Sequence, residues 1–374
     1  MLKVFFVAPE LGLGGAERSL VKFANGMARL KYAVTIVTFS SAADNSLAGE
    51  LDADVSVCAM QGRRTSDPRT WLHLSRILRR YKPEIVIGWS LLANLVVCLL
   101  CRFGADHWLI ISERIYLPKL LQRDDLRARL RSRFLLQAIK WLYPTANIVT
   151  ANSKENLKLM RRYIGKSPAY RYLPNIIDVA EAGRLSRASA ADVPAIAGPP
   201  ILSVGRLHSQ KGFDVLLDAF AIVKEQRPWN LVIVGDGPEA ESLRQHAEKL
   251  GIQSSVHWIG SRQDPFPYYG WADIVVTASR YEGFPNVPLE AMACGCAVIC
   301  TDCKTGPREL TENGRYGRLI PVGDAIALAS QIISLGDDPR ECHILGEAAR
   351  THIEEHFDAG RQLHVLCQML VPDQ

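Results

Sequence analysis

The sequence contains no apolar run that could cross a membrane without interruption. Its most apolar stretch, residues 85–101, is broken by Gly88, Trp89, Ser90 and Asn94, whereas a spanning helix needs about 20 consecutive apolar residues. The first residues, MLKVFFVAPELGLGG, are also atypical of a secretory signal, because an acidic residue and glycines stand where a small-residue cleavage site would follow. We therefore expect a cytoplasmic protein whose first residues form a buried strand.

Residue spacings typical of metal sites are absent as well. The nine cysteines include two C-x-x-C pairs, at residues 98–101 and 300–303, but the pairs of a zinc ribbon lie about 15 to 20 residues apart. The sole Asp-x-Asp, Asp52-Ala-Asp54, stands in an ordinary polar segment. Without a signal peptide, the cysteines indicate a reducing compartment and buried, apolar positions. We expect neither a metal nor a cofactor.

The net charge of +5 hides an asymmetry between the two halves of the chain. Residues 1–180 contain 27 Lys and Arg against 14 Asp and Glu, whereas residues 181–374 contain 17 against 25. A basic half suits an anionic partner, such as nucleic acid, an anionic membrane surface or a phosphorylated substrate. No recognised nucleic-acid module is present, and aromatic residues do not alternate with the basic ones, so we do not expect nucleic acid.

Short apolar segments alternate with amphipathic helical patterns in both halves. This alternation predicts βαβ units and parallel sheets, and hence an α/β protein of two Rossmann-like, doubly wound domains that face each other across a cleft. We expect a first domain over residues 1–178 and a second over 179–357, with a helix over 358–374 packing back on the first. Strands are predicted at residues 2–8, 33–39, 85–88, 108–112, 147–151, 201–204, 230–234, 255–259, 274–278 and 297–301.

Ligands of open α/β sheets bind at the carboxyl ends of the strands, where glycine-rich loops stand in this sequence. After the first strand, Gly12, Gly14 and Gly15 precede a helix, so their backbone N–H groups could approach a phosphate. The pattern differs from the dinucleotide G-x-G-x-x-G fingerprint, and no acidic residue suited to a ribose follows the second strand. A tight connection without a ligand is the alternative.

Loops of the second half carry cations and glycines at equivalent positions. Arg206 and Lys211 follow one strand and precede a helix, so they could clamp a diphosphate, with the planar Arg binding in bidentate fashion. A solvated basic loop is the alternative. Gly235 opens the next glycine turn, and the backbone of Gly260-Ser-Arg262 could frame a base.

The stretch Tyr-Glu-Gly-Phe-Pro-Asn-Val-Pro-Leu-Glu, residues 281–290, places two carboxylates on either side of a turn. We expect a helix starting near Pro288, with Glu290 in its first turn accepting ribose hydroxyls and the N–H groups of residues 286–289 facing a pyrophosphate. Glu282 would point toward the far end of a nucleotide donor. The alternatives are helix-start complementarity for Glu290 and a surface carboxylate for Glu282. The remaining residues expected around the donor are Gly283, Phe284, Pro285, Asn286 and Val287.

Several motifs together resemble those of the family-four glycosyltransferases. They are Gly-Gly-Ala-Glu at 14–17, GRLHSQKGFDVLLDAF, VGDGPE, EGFPNVPLEAMACGCAVI and GPRELTENGRYGRLIPVGD. The resemblance implies the two-domain GT-B fold, a nucleotide-sugar donor bound by the second domain, an acceptor bound by the first, no metal, and retention of anomeric configuration. At matching positions it implies a catalytic set of Arg206, Lys211 and Glu282, with the first two on the diphosphate and Glu282 on the sugar. It also implies Glu290 on the ribose and Gly15 on a phosphate.

The chain departs from the family at the end of the fourth predicted strand. Many members carry a histidine there, whereas this sequence reads Ser-Glu-Arg-Ile-Tyr-Leu-Pro over 112–118, similar to enzymes that extend lipid-linked glycans. The resemblance therefore suggests that Glu113 and Arg114 contact the acceptor. The nearest histidine, His107, precedes the strand and is expected to be structural.

Segment 119–140 combines regularly spaced leucines with many cations, including Arg123, Arg127, Arg129, Arg131 and Arg133. A basic amphipathic helix suits an anionic membrane surface or a polyprenyl diphosphate. We therefore add Arg127 and Arg131 to the residues expected at the acceptor. A solvated helix face packed by its leucines is the alternative.

These observations predict a retaining, metal-independent glycosyltransferase at the inner face of the cytoplasmic membrane. It would move a hexose or N-acetylhexosamine from a nucleotide sugar, with uridine favoured over guanosine, to a growing lipid-linked glycan of a cell-surface polysaccharide or glycoconjugate. A nucleotide-sugar epimerase, a phosphorylase on the same scaffold and a non-catalytic sugar-nucleotide-binding protein remain as alternatives.

Overall fold

The computed structural model describes residues 1–12, 14–41, 45–60, 67–114, 116, 126–190 and 192–370, apart from the side chains of residues 126–131. The chain divides into two compact units. Unit 1 comprises Met1–Ile176 and Ala359–Gln374, and unit 2 comprises Ile177–Asp358. Within the described ranges, no helix is both long and apolar enough to span a bilayer.

Unit 1 is built on a seven-stranded parallel sheet in the order β3-β2-β1-β4-β5-β6-β7. Successive side chains of a strand point to opposite faces, so Val4 and Phe6 of β1 enter one core while Phe5 and Val7 enter the other. Burial on both faces explains the near-continuous apolar runs of the central strands. The strands are β1 Lys3–Ala8, β2 Ala33–Thr38, β3 Ser56–Ala59, β4 Ile85–Trp89, β5 Trp108–Glu113, β6 Ile148–Ala151 and β7 Ala169–Tyr172.

Unit 2 is built on a six-stranded parallel sheet in the order β10-β9-β8-β11-β12-β13. Its central strand β8 alternates in the same way, with Ile201 in one core and Leu202 in the other. The strands are β8 Ile201–Val204, β9 Leu231–Val234, β10 Val256–Gly260, β11 Ile274–Thr277, β12 Ala297–Thr301 and β13 Arg318–Ile320.

Helices cover both faces of each sheet. Several begin at capping side chains that satisfy otherwise orphaned N–H groups, such as Asp67, Ser153 and Asp178. The helices are α1 Gly15–Arg29, α2 Pro68–Tyr81, α3 Leu91–Arg102, α4 Leu126–Leu142, α5 Lys154–Ile164, α6 Val179–Leu185, α7 Phe213–Gln226, α8 Ala240–Lys249, α9 Phe266–Trp271, α10 Asn286–Ala293, α11 Pro307–Leu310, α12 Ala325–Asp337, α13 Pro339–His356 and α14 Ala359–Gln368.

In unit 1 the two helical layers differ in make-up. α1 and α14 lie on one face, where they approach so closely that a Cβ on Gly26 would stand 2.7 Å from Leu363. The layer on the opposite face consists of α2, α3, α4 and α5, whose apolar side chains share a core with Phe5 and Val7. We call these four helices the α2–α5 layer.

The prediction of two doubly wound parallel sheets is confirmed, but three strands were missed. β3, β7 and β13 each lie at the edge of a sheet. Edge strands bury less apolar surface than central ones, and β7 alternates exposed and half-buried residues in the sequence Ala-Tyr-Arg-Tyr. Such a segment lacks the apolar run on which the sequence prediction relied.

Candidate active site

Glycines join the strand ends of unit 2 into one continuous edge. The N–H of Gly205 donates to the carbonyl of Val234 at 3.0 Å, and the N–H of Gly235 donates to that of Gly260 at 2.9 Å. Gly235 has a φ of +151°, and a Cβ there would lie 1.9 Å from the carbonyl oxygen of Gly205. Only glycine permits this approach of two backbones, so the carboxyl ends of β8, β9 and β10 form a fixed rim.

Lys211 and Glu282 meet at this rim. Lys211 ends a 3₁₀ turn and is followed by Gly212, which has a φ of +64°. The turn packs so closely against the end of β11 that a Cβ added to Gly212 would lie 2.2 Å from the carbonyl oxygen of Ala278. The Lys211 Nζ lies 2.6 Å from Glu282 Oε1, and the hydroxyl of Ser279 donates to the same oxygen at 2.6 Å. Glu282 is only 8% exposed, and its carboxylate therefore relies on this ammonium and this hydroxyl, rather than on water, for hydrogen bonds.

Neighbouring residues hold the two loops together. The side-chain amide of Gln210 donates to the carbonyl of Tyr281 at 3.0 Å, while the carbonyl of Gln210 accepts from the N–H of Arg280 at 2.8 Å. The Arg280 guanidinium binds both carboxylate oxygens of Asp214, at 2.8 and 2.5 Å. These hydrogen bonds from Arg280 hold the pKa of Asp214 below its ordinary value. The contacts fix the position of Lys211 relative to Glu282.

The helix after the Gly-Phe-Pro turn starts earlier than expected. α10 begins at Asn286, with Pro285 as its N-cap, so Glu290 is the fifth residue of the helix and does not lie in the first turn. Glu290 is half-buried and accepts a hydrogen bond of 2.9 Å from the hydroxyl of Tyr269. Burial, together with the adjacent Glu290 carboxylate, raises the pKa of Tyr269 well above its ordinary value.

The earlier start also changes which backbone N–H groups could donate hydrogen bonds to a phosphate. Pro288 has no N–H, and the N–H of Leu289 donates to the carbonyl of Pro285 at 3.2 Å. Asn286 and Val287 are therefore the two expected positions whose N–H groups are not used within the helix. The turn itself is supported from behind, since Phe284 packs against Phe357 with ring centroids 6.0 Å apart.

Arg206 and Arg262 differ in what their guanidinium groups contact. Arg206 is exposed and pairs with no carboxylate in the part of the chain that the structure describes, so it is available to an anion. The Nε of Arg262 donates to the Tyr268 hydroxyl at 2.9 Å and to Asp192 at 3.1 Å. Hydrogen bonds from Tyr268 and then Arg262 hold the pKa of Asp192 below its ordinary value. The side chain of Arg262 is thus engaged, and framing of a base would fall to the backbone beside it.

In unit 1, the glycine loop leads into α1 as expected, but a carboxylate already stands near the helix start. Gly14 is the N-cap of α1 and forms no side-chain capping hydrogen bond. A Cβ on Gly14 would lie 2.2 Å from the Glu17 carboxylate, and burial raises the pKa of Glu17. A negative charge near a helix N-terminus is favourable, so Glu17 occupies a position suited to a phosphate at Gly14 and Gly15.

Glu113 and Arg114, expected to contact the acceptor, lie inside unit 1 with exposures of 1% and 4%. The Tyr143 hydroxyl donates to Glu113 at 3.0 Å. The Arg114 guanidinium stacks 3.8 Å from the centroid of the Trp89 ring and donates to the carbonyl of Leu173 at 3.0 Å. Burial lowers the pKa of Arg114 to about 9. Both side chains are thus buried at the end of β5, a central strand of the sheet, and their proposed contact with the acceptor stays a prediction.

The remaining acceptor candidates are only partly described. Arg127 and Arg131 belong to α4, but their side chains lie outside the described residues, as does all of Arg123. Arg133 is exposed. His107 contacts the carbonyl of Pro83 through Nδ1 at 2.7 Å and lines a cavity of about 540 Å³ before the first residues of β4 and β5. This cavity lies at the opposite end of the sheet from the strand carboxyl ends.

The sequence prediction missed several supporting residues. Ser279 binds Glu282, Thr305 donates its hydroxyl to the backbone carbonyl of Glu282, and Tyr269 binds Glu290. Ser279 lies two residues after the end of β11, so its position near a strand end was a usable signal. Thr305 and Tyr269 come from other parts of the chain, and their contacts depend on the tertiary fold. In the described part of the chain, no three potential metal ligands cluster.

Comparisons with known proteins agree with this architecture. Residues 196–352 match the family described as "Glycosyl transferases group 1", and residues 13–181 match "Glycosyltransferase Family 4". A relative from Campylobacter jejuni, N-acetylgalactosamine-N,N'-diacetylbacillosaminyl-diphospho-undecaprenol 4-alpha-N-acetylgalactosaminyltransferase, is 28% identical over 353 residues, covering 91% of this chain and 92% of its own length. The lipopolysaccharide core biosynthesis glycosyltransferase LpsE of Rhizobium meliloti is 34% identical over 141 residues, which are 38% of this chain and 40% of that protein.

Solved structures share the fold over the full length of the chain. The crystal structure of Anabaena Alr3699/HepE in complex with UDP has a TM-score of 0.80 at 21% identity, covering 99% of both chains. At this identity the likeness shows the fold alone, and the fold is the one that the sequence motifs implied.

Proposed function

Because the chain belongs to the glycosyltransferases, joining a family 4 amino-terminal part to a group 1 carboxy-terminal part, we propose that it moves a hexose or N-acetylhexosamine from a UDP-sugar to a lipid-linked glycan. The enzyme functions in glycan biosynthesis. The observation that carries the proposal is the contact between Lys211 and Glu282 at the carboxyl edge of the unit 2 sheet.

The uridine donor is supported by the site and by one structural neighbour. The Anabaena protein of the same fold was solved with UDP. In this chain, Glu290 stands on α10 with a carboxylate oxygen held by Tyr269, where it could accept ribose hydroxyls. The N–H groups of Asn286 and Val287 and the exposed guanidinium of Arg206 would bind the diphosphate.

The lipid-linked acceptor is supported by the basic first half and by the Campylobacter relative, whose name specifies a diphospho-undecaprenol acceptor. Cationic residues suit both a diphosphate and an anionic membrane surface. We propose that the enzyme works peripherally at the inner face of the cytoplasmic membrane.

The geometry around Lys211 suits stabilisation of a leaving diphosphate. An ammonium has three donors, so Lys211 could keep its contact with Glu282 while donating to a phosphate oxygen. Preorganised charges of this kind stabilise developing negative charge without reorganisation. Glu282, which already accepts from Lys211 and Ser279, would position sugar hydroxyls rather than act as a free base. In the proposed retaining mechanism, the acceptor hydroxyl attacks the anomeric carbon from the face that the diphosphate leaves. The bond between that carbon and the diphosphate oxygen breaks, and a phosphate oxygen takes the proton of the hydroxyl.

Product analysis tests the proposal. Radiolabelled UDP-hexoses and UDP-N-acetylhexosamines are incubated with the full chain and a lipid-diphosphate-linked glycan, and the anomeric configuration of the product is read by NMR. We expect label in the lipid fraction, with retained configuration. Isomerised donor alone would indicate an epimerase, phosphate-dependent release of sugar phosphate a phosphorylase, and donor binding without turnover a non-catalytic protein.

A parallel assay tests metal independence. Because Lys211, Arg206 and the α10 N-terminus would supply the positive charge, we expect transfer to persist in an excess of EDTA. A large loss that magnesium or manganese restores would contradict this assignment.

A further inference from the structure

The α2–α5 layer of unit 1 concentrates positive charge on one side of the sheet. These four helices contain fourteen Lys and Arg and a single acidic residue, Glu155. By contrast, α1 and α14 on the opposite face contain four Lys and Arg and one acidic residue, Glu17. The net charge of the layer, fourteen basic minus one acidic residue, therefore equals that of the whole first half, which has 27 basic and 14 acidic residues.

The same layer carries the exposed aromatic side chains. Among the described residues, four large aromatic side chains are exposed, and all lie in or directly after these helices: Tyr81 at 50%, Phe103 at 71%, Phe134 at 76% and Trp141 at 50%. Leu72 and Leu92 add exposed aliphatic surface at 59% and 49%. A concentration of apolar side chains on one exposed face is typical of an interaction surface.

The outward face of α4 shows how rings and cations are combined. Its exposed residues lie one helical turn apart, as a single stripe: Arg133, Phe134, Gln137, Lys140 and Trp141. Two large aromatic rings therefore interrupt an outward stripe that is usually polar throughout.

Trp141 also belongs to a second cluster, formed with the end of α3. Its ring lies 6.4 Å from that of Phe103 in an edge-on arrangement, and the Arg102 guanidinium lies 5.4 Å from its centroid. An aromatic pair flanked by a cation is therefore present where α3 and α4 end.

We propose that the outward face of the α2–α5 layer docks on an anionic lipid bilayer. Rings such as Phe103, Phe134 and Trp141 would enter the boundary between headgroups and acyl chains, and the cations would contact lipid phosphates. The exposed Leu72 and Leu92 side chains favour a bilayer over nucleic acid, because an aliphatic side chain offers no partner to phosphates or base edges and no ring on which a base could stack. The inference deepens the proposed function, and rests on it only in assigning the docked enzyme a lipid-linked acceptor.

Vesicle binding by the full chain, without donor or acceptor, tests this surface directly. Co-sedimentation is measured with phosphatidylcholine vesicles and with vesicles in which about 30% of the lipid is phosphatidylglycerol. We expect binding to the anionic vesicles, weakened by salt as the Debye length shortens.

An aromatic variant and a matched control test whether vesicle binding depends on this surface or on any exposed apolar side chain. Phe103→Gln with Phe134→Gln should weaken vesicle binding about tenfold or more, because two membrane-inserting rings are lost. Ile326→Gln with Ile344→Gln removes apolar side chains of similar exposure, 74% and 61%, from unit 2. This control should bind as the wild type does.

A charge variant with its own control completes the design. Arg102→Gln, Arg133→Gln and Lys140→Gln together should reduce binding to anionic vesicles and its salt dependence. The control replaces three exposed cations of unit 2 with glutamine: Arg187, Lys249 and Arg340. Thermal melts and transfer to a short-chain, water-soluble acceptor verify that the aromatic variant is folded and active.

Two outcomes would overturn the inference. One is vesicle binding by the aromatic and charge variants that equals that of their controls. The other is binding of a short RNA that outcompetes anionic vesicles for the wild-type protein. Failure of the proposed function is distinguishable, since absence of transfer to any lipid-linked acceptor would leave the substrate-free vesicle binding unchanged.

Discussion

Glu282 shows at the scale of one residue how a nearly buried carboxylate obtains hydrogen-bond partners. Its Oε1 accepts from both the Lys211 ammonium and the Ser279 hydroxyl, each at 2.6 Å. The same lysine is proposed to bind the donor diphosphate, and on this proposal both stability and catalysis would depend on one side chain. This coupling can be separated experimentally, because the exposed Arg206 has only the second role.

Replacement of Lys211 should therefore cost both stability and activity. Lys211→Met leaves the Glu282 carboxylate without its cation, at a cost of about 1 to 3 kcal/mol in the free energy of unfolding. It should also lose about 2 to 4 kcal/mol of transition-state stabilisation in kcat/KM. Arg206→Ala is the matched control and should lose the activity alone. Urea unfolding and steady-state kinetics measure the two effects.

A double variant sharpens this prediction. Lys211→Met combined with Glu282→Gln removes the uncompensated charge, so part of the lost stability should return while activity stays low. If the single and double variants unfold at the same urea concentration, the uncompensated charge of Glu282 is not what destabilises the single variant.

Glu17 predicts an unusual dependence of stability on pH. Burial raises its folded pKa above the ordinary value of 4.5, so the folded state binds this proton more tightly than the unfolded state. This contribution to stability is greatest below pH 4.5 and is lost as pH rises through the folded pKa. Glu17→Gln should remove it, so the stability of the variant relative to wild type should increase from pH 4.5 to pH 7.

Glu181 provides the control, since hydrogen bonds from Arg184 lower its pKa. Its contribution has the opposite sign, being present above the unfolded pKa and lost as pH falls. Urea unfolding of wild type, Glu17→Gln and Glu181→Gln compares them over a pH range that extends both above and below the ordinary value of 4.5, because the contribution of Glu181 is lost only below that value. Parallel curves for wild type and Glu17→Gln would contradict the prediction for Glu17.

At the scale of elements, the sequence was sufficient to predict the bounds of those strands that have a clear apolar run. Strand β8 over Ile201–Val204 has the bounds predicted from its short apolar run. The start of α10 was placed two residues late, because Pro288 suggested a first helical position, whereas Pro285 caps the helix and Pro288 lies within its first turn. Proline is tolerated there because no intrahelical donor is needed.

Contacts between loops could not be predicted from the sequence pattern. Lys211 and Glu282 were each identified from their places at strand ends, but they are 71 residues apart, and only the folded sheet reveals their pairing. Glu113 and Arg114 were expected to contact the acceptor, and the structure shows both side chains almost fully buried. A strand-end residue can face either side, and Trp89, which stacks on Arg114, comes from the neighbouring strand.

The turn that carries Lys211 should be sensitive to a single methyl group. Gly212→Ala places a Cβ about 2.2 Å from the carbonyl of Ala278 in a left-handed conformation, and we expect a loss of about 3 kcal/mol in the free energy of unfolding. Gly251→Ala is the control, because Gly251 has a similar φ of +70° but no atom within 4 Å of the added Cβ. It should lose only about 1 kcal/mol. Equal losses in urea unfolding would show that no steric contact holds the turn.

At the scale of the whole molecule, the two halves of the chain carry net charges of opposite sign. The first 180 residues contain 27 basic and 14 acidic residues, and the remainder contains 17 and 25. On the proposed model, an anionic membrane attracts the first half and repels the second. The membrane would thus hold the acceptor-binding part while leaving the donor-binding part in solution.

Salt should therefore weaken the interaction with the vesicle-embedded acceptor much more than the interaction with the donor. Each basic residue near an anionic surface contributes about 1 kcal/mol, and this attraction is screened as the Debye length falls from about 10 Å near 0.1 M salt to about 3 Å near 1 M. We expect the KM for a vesicle-embedded acceptor to rise steeply with salt while donor affinity changes little, because donor binding involves short-range contacts in unit 2. A variant with glutamine at Arg127, Arg129, Arg131 and Arg133 should show weak vesicle binding, slow transfer and a shallow salt dependence, with donor binding unchanged. If this variant still co-sediments with anionic vesicles and transfers with the wild-type salt dependence, these four arginines form only a solvated helix face and the acceptor is bound elsewhere.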